Sequence, residues 1–293
     1  MNKIAVLVAS ACLLLGVWLF VSDRLAGSAL GGREIFPPIA GGSGPGERLD
    51  WADFDEGVER DRKTGLPRVV RHRRSGIEMV LIPAGSFFRG RRERATRGHG
   101  DEVPGHDVTI TQAFYLGRYE TTWDAWRRIM GEPRGGRSPG DHFPVSDINP
   151  AEIDRFLQQA ELRLPTEAEW EWAARAGGER ELDRREILES AVCALNSRRG
   201  CMPVGTLRAN RWGLHDIFGN VAELCLDWYD ADEYARCAPS VEDPRGPKES
   251  TGRIVIRGGS FRSTLDELQA GTRGSVTVSG SHSRVGFRAA RLP

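Results

Sequence analysis

The chain has 293 residues, enough for one large hydrophobic core, and its 41 basic side chains are matched by 41 acidic ones. That balance excludes recruitment of nucleic acid or of an anionic membrane surface by bulk charge.

Residues 4–22 run nineteen positions without a charge, after Met-Asn-Lys and before Asp23 and Arg24. A helix of about 20 apolar residues crosses a bilayer, so residues 1–22 read as an uncleaved signal anchor. A removed signal peptide, cut near Gly27-Ser28-Ala29, is the alternative. Both place the remainder outside the cytoplasm, anchored at the inner membrane or free in the periplasm, with Lys3 on the cytoplasmic side. Residues 23–50, rich in Gly, Pro and Ser, read as a tether, and residues 51–293 as the folded body.

Two basic clusters follow, Arg68 with Arg71, His72, Arg73 and Arg74, and Arg89 with Arg91, Arg92, Arg94 and Arg97. They read as a docking patch or as solvated charge. Between them IEMVLIPAGSFF reads as strand, turn and strand. Helices are expected at 121–130, where Trp123, Trp126 and Met130 share a face, and at 150–160, where Ile153, Phe156 and Leu157 do. A third starts at Pro165, with Thr166 and Glu169 at capping-box spacing, and stops at Gly177-Gly178. Beyond it the chain is turn-rich with short apolar runs, which makes the class α+β. Cys12 lies in the apolar segment, and Cys193, Cys201, Cys225 and Cys237 remain. In an oxidising compartment they would form two bridges, expected locally as Cys193–Cys201 and Cys225–Cys237, with buried free thiols as the alternative.

Seven segments in one order, MVLIPAGSF, FYLGRYETT, PVSDIN, LRLPTEAEWEWAARAG, GLHDIFGNVAEL, IRGGSF and VGFRAAR, resemble the formylglycine-generating (sulfatase-modifying factor) family over residues 76–291. The resemblance implies a single loop-rich domain related to C-type lectin-like folds. It implies calcium held by the side chains of Asp216 and Glu223 and the carbonyls of Gly219 and Val221, oxygen donors that suit a hard cation. The alternative is that Asp216 caps its turn and Glu223 forms a salt bridge. A second family calcium site begins at a residue matching Asn196 but lacks its later acid, and the Cys193–Cys201 bridge is expected to order that loop instead. Family enzymes bind copper through two cysteines, the first of which falls at Ser263, and no cysteine follows Cys237. Soft Cu(I) needs soft ligands, so no copper is expected. Ala222 replaces a tryptophan that borders the family's catalytic site.

The expected function is therefore a non-catalytic regulator. Its recognition surface would be formed by Ala222, Ser260, Phe261, Arg262 and Ser263. Within the family it resembles the TagR-like branch of type VI secretion, whose partner is the outer part of a membrane serine/threonine kinase. An exported oxidoreductase is the alternative, of the siderophore-maturation or the formylglycine-generating kind. It would require convergence of histidines among His72, His99, His106, His142, His215 and His282.

Overall fold

The computed structural model describes residues 49–91, 100–133, 138–178, 180–198 and 200–293. These fall within one compact unit spanning 38–293. The expected anchor and almost all of the tether lie outside the described residues, as do Arg92, Arg94, Arg97 and His99. No helix among the described residues is long and apolar enough to cross a membrane.

Each expected helix forms where its caps dictate. Helix α1 (Trp123–Met130) takes Thr122 as its N-cap, with the Thr122 hydroxyl accepting from the Ala125 N–H. Helix α2 (Pro150–Ala160) starts from Asn149 in a capping box with Glu152, and Pro150 at its first position loses no hydrogen bond. Helix α3 (Glu167–Arg175) starts from the Thr166–Glu169 capping box and ends as Ala176 turns into the left-handed region. The apolar stripes then pack: the rings of Trp126 on α1 and Phe156 on α2 stack at 5.4 Å, and Phe287 meets Phe156 edge-on. Helix α4 (Arg184–Ser190) lies in the charged stretch after the third helix and carries its own capping box, Asp183 with Glu186. A short helix α5 spans Glu233–Cys237.

Among the described residues, twelve strands form three sheets. In the first, β1 (Ala52–Asp53), β2 (Val69–His72), β3 (Glu78–Ile82), β6 (Phe114–Gly117) and β12 (Ala290–Arg291) lie side by side. The second has the order β10 (Gly274–Thr277), β9 (Arg253–Arg257), β7 (Ala222–Trp228) and β11 (Val285–Phe287), with β11 parallel to β7. The third joins β4 (Gly85–Arg89), β5 (His106–Ile110) and β8 (Ser240–Glu242). Helix α3 contacts β4, β5, β7 and β9, and so ties the second and third sheets together. Trp170 and Trp172 of this helix belong to the main core with Phe87, Phe114 and Phe218.

The first basic cluster is not a free docking patch. Arg68, Arg71, Arg73 and Arg74 pair with Glu59, Glu78, Asp53 and Glu161, and His72 is buried against Ser75. In the second cluster Arg89 is buried and Arg91 pairs with Glu102. Arg89 belongs to a network centred on α3. Glu167 receives Arg89 at 2.7 Å, Arg273 at 2.7 Å and Arg257 at 3.2 Å, while Glu171 receives Arg257 at 2.6 Å and Arg175 at 2.8 Å. The Tyr234 ring lies 4.4 Å from the Arg89 guanidinium and 4.3 Å from that of Arg273. Burial opposes ionisation of Glu167, yet Arg273, Arg89 and Arg257 outweigh it and hold its carboxyl at about 2. Asp227 on β7 accepts the Glu167 N–H at 2.7 Å, and burial, then the Glu167 charge, push its carboxyl up to about 7.

Candidate recognition site around Asn220 and Ser263

The turn 216–221 enters β7 through a backbone that few residues tolerate. Asp216, Gly219 and Asn220 all have positive φ, and a Cβ on Gly219 would come within 2.1 Å of the Val192 carbonyl oxygen. Glycine is required there by close approach as well as by conformation. The next residue, Asn220, is a hub. Its Oδ1 accepts the Met202 N–H at 2.8 Å, its Nδ2 donates to Glu120 at 2.6 Å, and its carbonyl accepts the Phe261 N–H at 2.8 Å. Glu120 also accepts the Val221 N–H at 2.8 Å, so one buried carboxylate clamps both sides of the Asn220–Val221 peptide.

Deeper in, Glu223 is held by Arg288 at 2.6 Å through Oε1, and its Oε2 accepts from Trp170 Nε1 at 2.8 Å. Glu120, Asp216 and Glu223 therefore gather around the Arg288 guanidinium. Burial, then Asp216 and Glu223, push the Glu120 carboxyl well above the usual carboxylate range, and burial raises Asp216 as well.

The residues expected to hold calcium fit in part. Asp216 keeps Oδ1 buried and without a hydrogen-bond partner, while its Oδ2 accepts the Gly205 N–H at 2.6 Å. Glu223 does not fit, because Arg288 already neutralises its carboxylate and both oxygens are engaged. Glu223 thus forms a salt bridge with Arg288, and Asp216 fastens its turn to Gly205.

Of the five expected recognition residues, Ser260, Phe261, Arg262 and Ser263 form one loop, whose Phe261 N–H donates to Asn220, two residues before Ala222. Ala222 opens β7, and its N–H donates to the Arg284 carbonyl at 2.8 Å. Ser260 and Phe261 are largely buried, with Arg262 exposed beside them and Ser263 half-buried. The Ser263 hydroxyl accepts the Ser260 N–H at 3.1 Å, and the Ser263 carbonyl accepts the Ala194 N–H at 3.1 Å. Ser263 thus serves as a loop fastener at the position that would carry the first copper thiolate.

Both expected disulfides are corrected: Cys193, Cys201, Cys225 and Cys237 are all free thiols. Cys193 and Cys225 are wholly buried in the main core and pack as small apolar residues. Cys237 ends α5 beside Glu233. The 193–198 turn is ordered instead by Asn196, whose side chain accepts the Cys193 N–H at 2.7 Å and donates to the Ala191 carbonyl at 2.9 Å. Burial, then the nearby Glu120, push the Cys201 thiol up, which keeps it protonated and a poor nucleophile. Alkylation of the native protein followed by peptide mapping is expected to modify half-buried Cys201 and Cys237. Cys193 and Cys225 should react only in denaturant. Protection of all four thiols until a reductant is added would restore the bridges.

Among the described residues the histidines do not converge. His72 meets Ser75, His106 packs edge-on to Tyr234 and His215 packs against Tyr119. Among the described residues no group of three or more His, Cys, Asp or Glu side chains is placed to hold a metal.

Sequence reasoning missed Glu120, Asn220 and Arg288 as site residues. Arg288 had a usable signal, a cation between Phe287 and Ala289 in an otherwise apolar run. Glu120 had none.

The sulfatase-modifying factor enzyme 1-like domain profile matches residues 67–293. The chain belongs to this family. A serine/threonine-protein kinase, pkn1 of Chlamydia caviae, is 32% identical over 73% of this chain and 38% of its own length. The chain thus spans about two fifths of the kinases it matches, the Chlamydia pneumoniae relative being covered over 40%. The formylglycine-generating enzyme of Thermomonospora curvata is 33% identical over 57% of this chain and 61% of that protein. Among solved structures, PvdO from Pseudomonas aeruginosa matches with a TM-score of 0.67 at 26% identity, covering 77% of this chain and 98% of that one. These likenesses establish the formylglycine-generating-enzyme-like fold expected from the motifs.

Proposed function

We propose that this chain is a non-catalytic recognition module of its family. It would act outside the cytoplasm on the outer part of a membrane serine/threonine kinase, as an activator in a type VI secretion pathway. The observation that carries the reading is that relatives named serine/threonine-protein kinases contain the same domain over about two fifths of their length. A domain joined to a kinase in one chain is a natural partner of a kinase when it is encoded separately. The chemistry supports the same reading. Ser263 and residues 264–268 offer no thiolate for copper, and the Cys201 thiol is held protonated.

The test is affinity capture of the tagged chain from gently solubilised native membranes, followed by kinase assay. The expected result is recovery of a serine/threonine kinase whose autophosphorylation changes several-fold when purified chain is added. Recovery of no kinase, together with stoichiometric iron or copper in the purified chain, would overturn the reading in favour of an exported oxidoreductase.

A further inference from the structure

Strand β7 leaves its partner β9 midway. The register pairs Glu223 with Arg257 and Leu224 with Ile256, then resumes only at Trp228 with Ile254. In between, the chain turns to the start of α3, where the Leu226 N–H donates to the Pro165 carbonyl at 2.8 Å and Asp227 Oδ2 accepts the Glu167 N–H at 2.7 Å. Asp227 is buried there, and its Oδ1 has no hydrogen-bond partner.

Among the described residues no cation forms an ion pair with this carboxyl, because Arg89, Arg257 and Arg273 are committed to Glu167. The groups facing it are Arg89 from β4, Glu167 and Glu169 from α3, and Cys225 from its own strand. Strand β9 adds Arg257 and the exposed Arg253, which bonds Ser275, and β11 adds nothing that ionises. A buried carboxyl beside a like charge and without an ion pair holds a proton in preference to a charge.

One side of Asp227 is covered by a glycine. A Cβ on Gly246, which has a φ of +68°, would come within 3.0 Å of Asp227 Cβ and 3.3 Å of its Oδ1. Gly246 belongs to the run Pro244-Arg245-Gly246-Pro247, whose prolines have no N–H to give. Among the described residues the backbone of 244–247 makes no hydrogen bond to another backbone group. Pro244 is nevertheless buried, so the segment is held down by contact. Such a segment opens locally at little cost.

We infer that residues 244–247 form a proton-gated cover, closed over neutral Asp227 and lifting to admit water when that carboxyl ionises. This response to pH is independent of the kinase reading. Its direction follows from the two environments of the carboxyl. Once water reaches it, the ordinary value of 3.8 returns, against about 7 under the cover. The closed position is therefore fully favoured below the first value, loses ground as pH rises, and loses no more above the second.

Hydroxyl-radical footprinting of the purified chain, read by mass spectrometry, measures side-chain exposure on both sides of that window. Oxidation of Pro244 and Trp228 should rise several-fold between about pH 5 and about pH 8 and level off above about pH 7. Phe156, buried against Trp126, should stay unchanged. Asp227→Asn keeps an acceptor for the Glu167 N–H but cannot ionise, so its Pro244 should stay protected throughout. Gly246→Ala would press a methyl on the carboxyl and leave Pro244 oxidised already at the lower pH, which supplies a second variant if Asp227→Asn does not fold. No rise in the wild-type chain, or an equal rise in Asp227→Asn, would overturn the inference. So would a parallel rise at Phe156, which would mean general loosening, or a Pro244 that stays protected at the lower pH in Gly246→Ala.

Discussion

Replacing Arg288 with methionine is expected to lower unfolding free energy by about 3–5 kcal/mol, the usual loss when one member of a buried ion pair is removed. The variant leaves Glu223 with the Trp170 donor alone, beside Glu120 and Asp216 in the same buried region. The loss should depend on pH in a definite direction. A carboxyl whose folded-state pKa lies above its unfolded value contributes stability at low pH, and that contribution disappears as pH rises through the folded value. Glu120 and Asp216 are already raised with Arg288 present, and without it they must rise further. The variant's urea midpoint should therefore fall far below wild type near pH 8 and much less near pH 4. A deficit independent of pH would mean that Arg288 acts through packing alone.

A loss of about 3–5 kcal/mol at pH 7 is also expected for Glu167→Gln, because three buried guanidiniums would lose their shared counter-charge. Here the pH dependence is opposite. Glu167 is depressed from 4.5 to about 2, so its contribution is complete above the unfolded value and is lost as pH falls through about 2. The difference between wild type and Glu167→Gln should thus narrow toward pH 2. Asp227 runs the other way, since its pKa is raised from 3.8 to about 7 and its favourable term fades as pH climbs from the first value through the second. Together the two groups place the network's most favourable condition at about pH 4–5. Urea midpoints across pH 2–8 measure both limbs, and parallel curves for wild type and Glu167→Gln would refute the assignment.

What was legible in the sequence was what acts locally. Asn149 with Glu152 and Thr166 with Glu169 satisfy helix-end donors within four residues, so α2 and α3 could be placed to within two residues. The Asp183–Glu186 box has the same local signature, set in a stretch dominated by charge rather than by an apolar stripe. The loop 260–263 and the turn before Ala222 are joined by the Phe261–Asn220 hydrogen bond, a link between distant segments that motif order alone suggests. The charged core was not legible. In sequence Arg89 belonged to a basic run and Glu167 to a helical surface pattern, and only strands from distant segments bring them together at 2.7 Å. The cysteines were misread for a related reason. Short sequence separation favoured the local pairings, but Cys193 and Cys225 are taken up by the apolar core.

The last strands carry a consequence for how the polypeptide reaches this state. Residues 285–287 align with β7 in the second sheet, and only two residues later 290–291 pair with β6 in the first. Arg288, between them, supplies the counter-ion of Glu223. Neither sheet is complete without residues 285–291, and Glu223 has no Arg288 to meet until that segment is in place. Such long-range closure must pay its loop entropy before it is rewarded, so the two sheets are expected to form slowly and together.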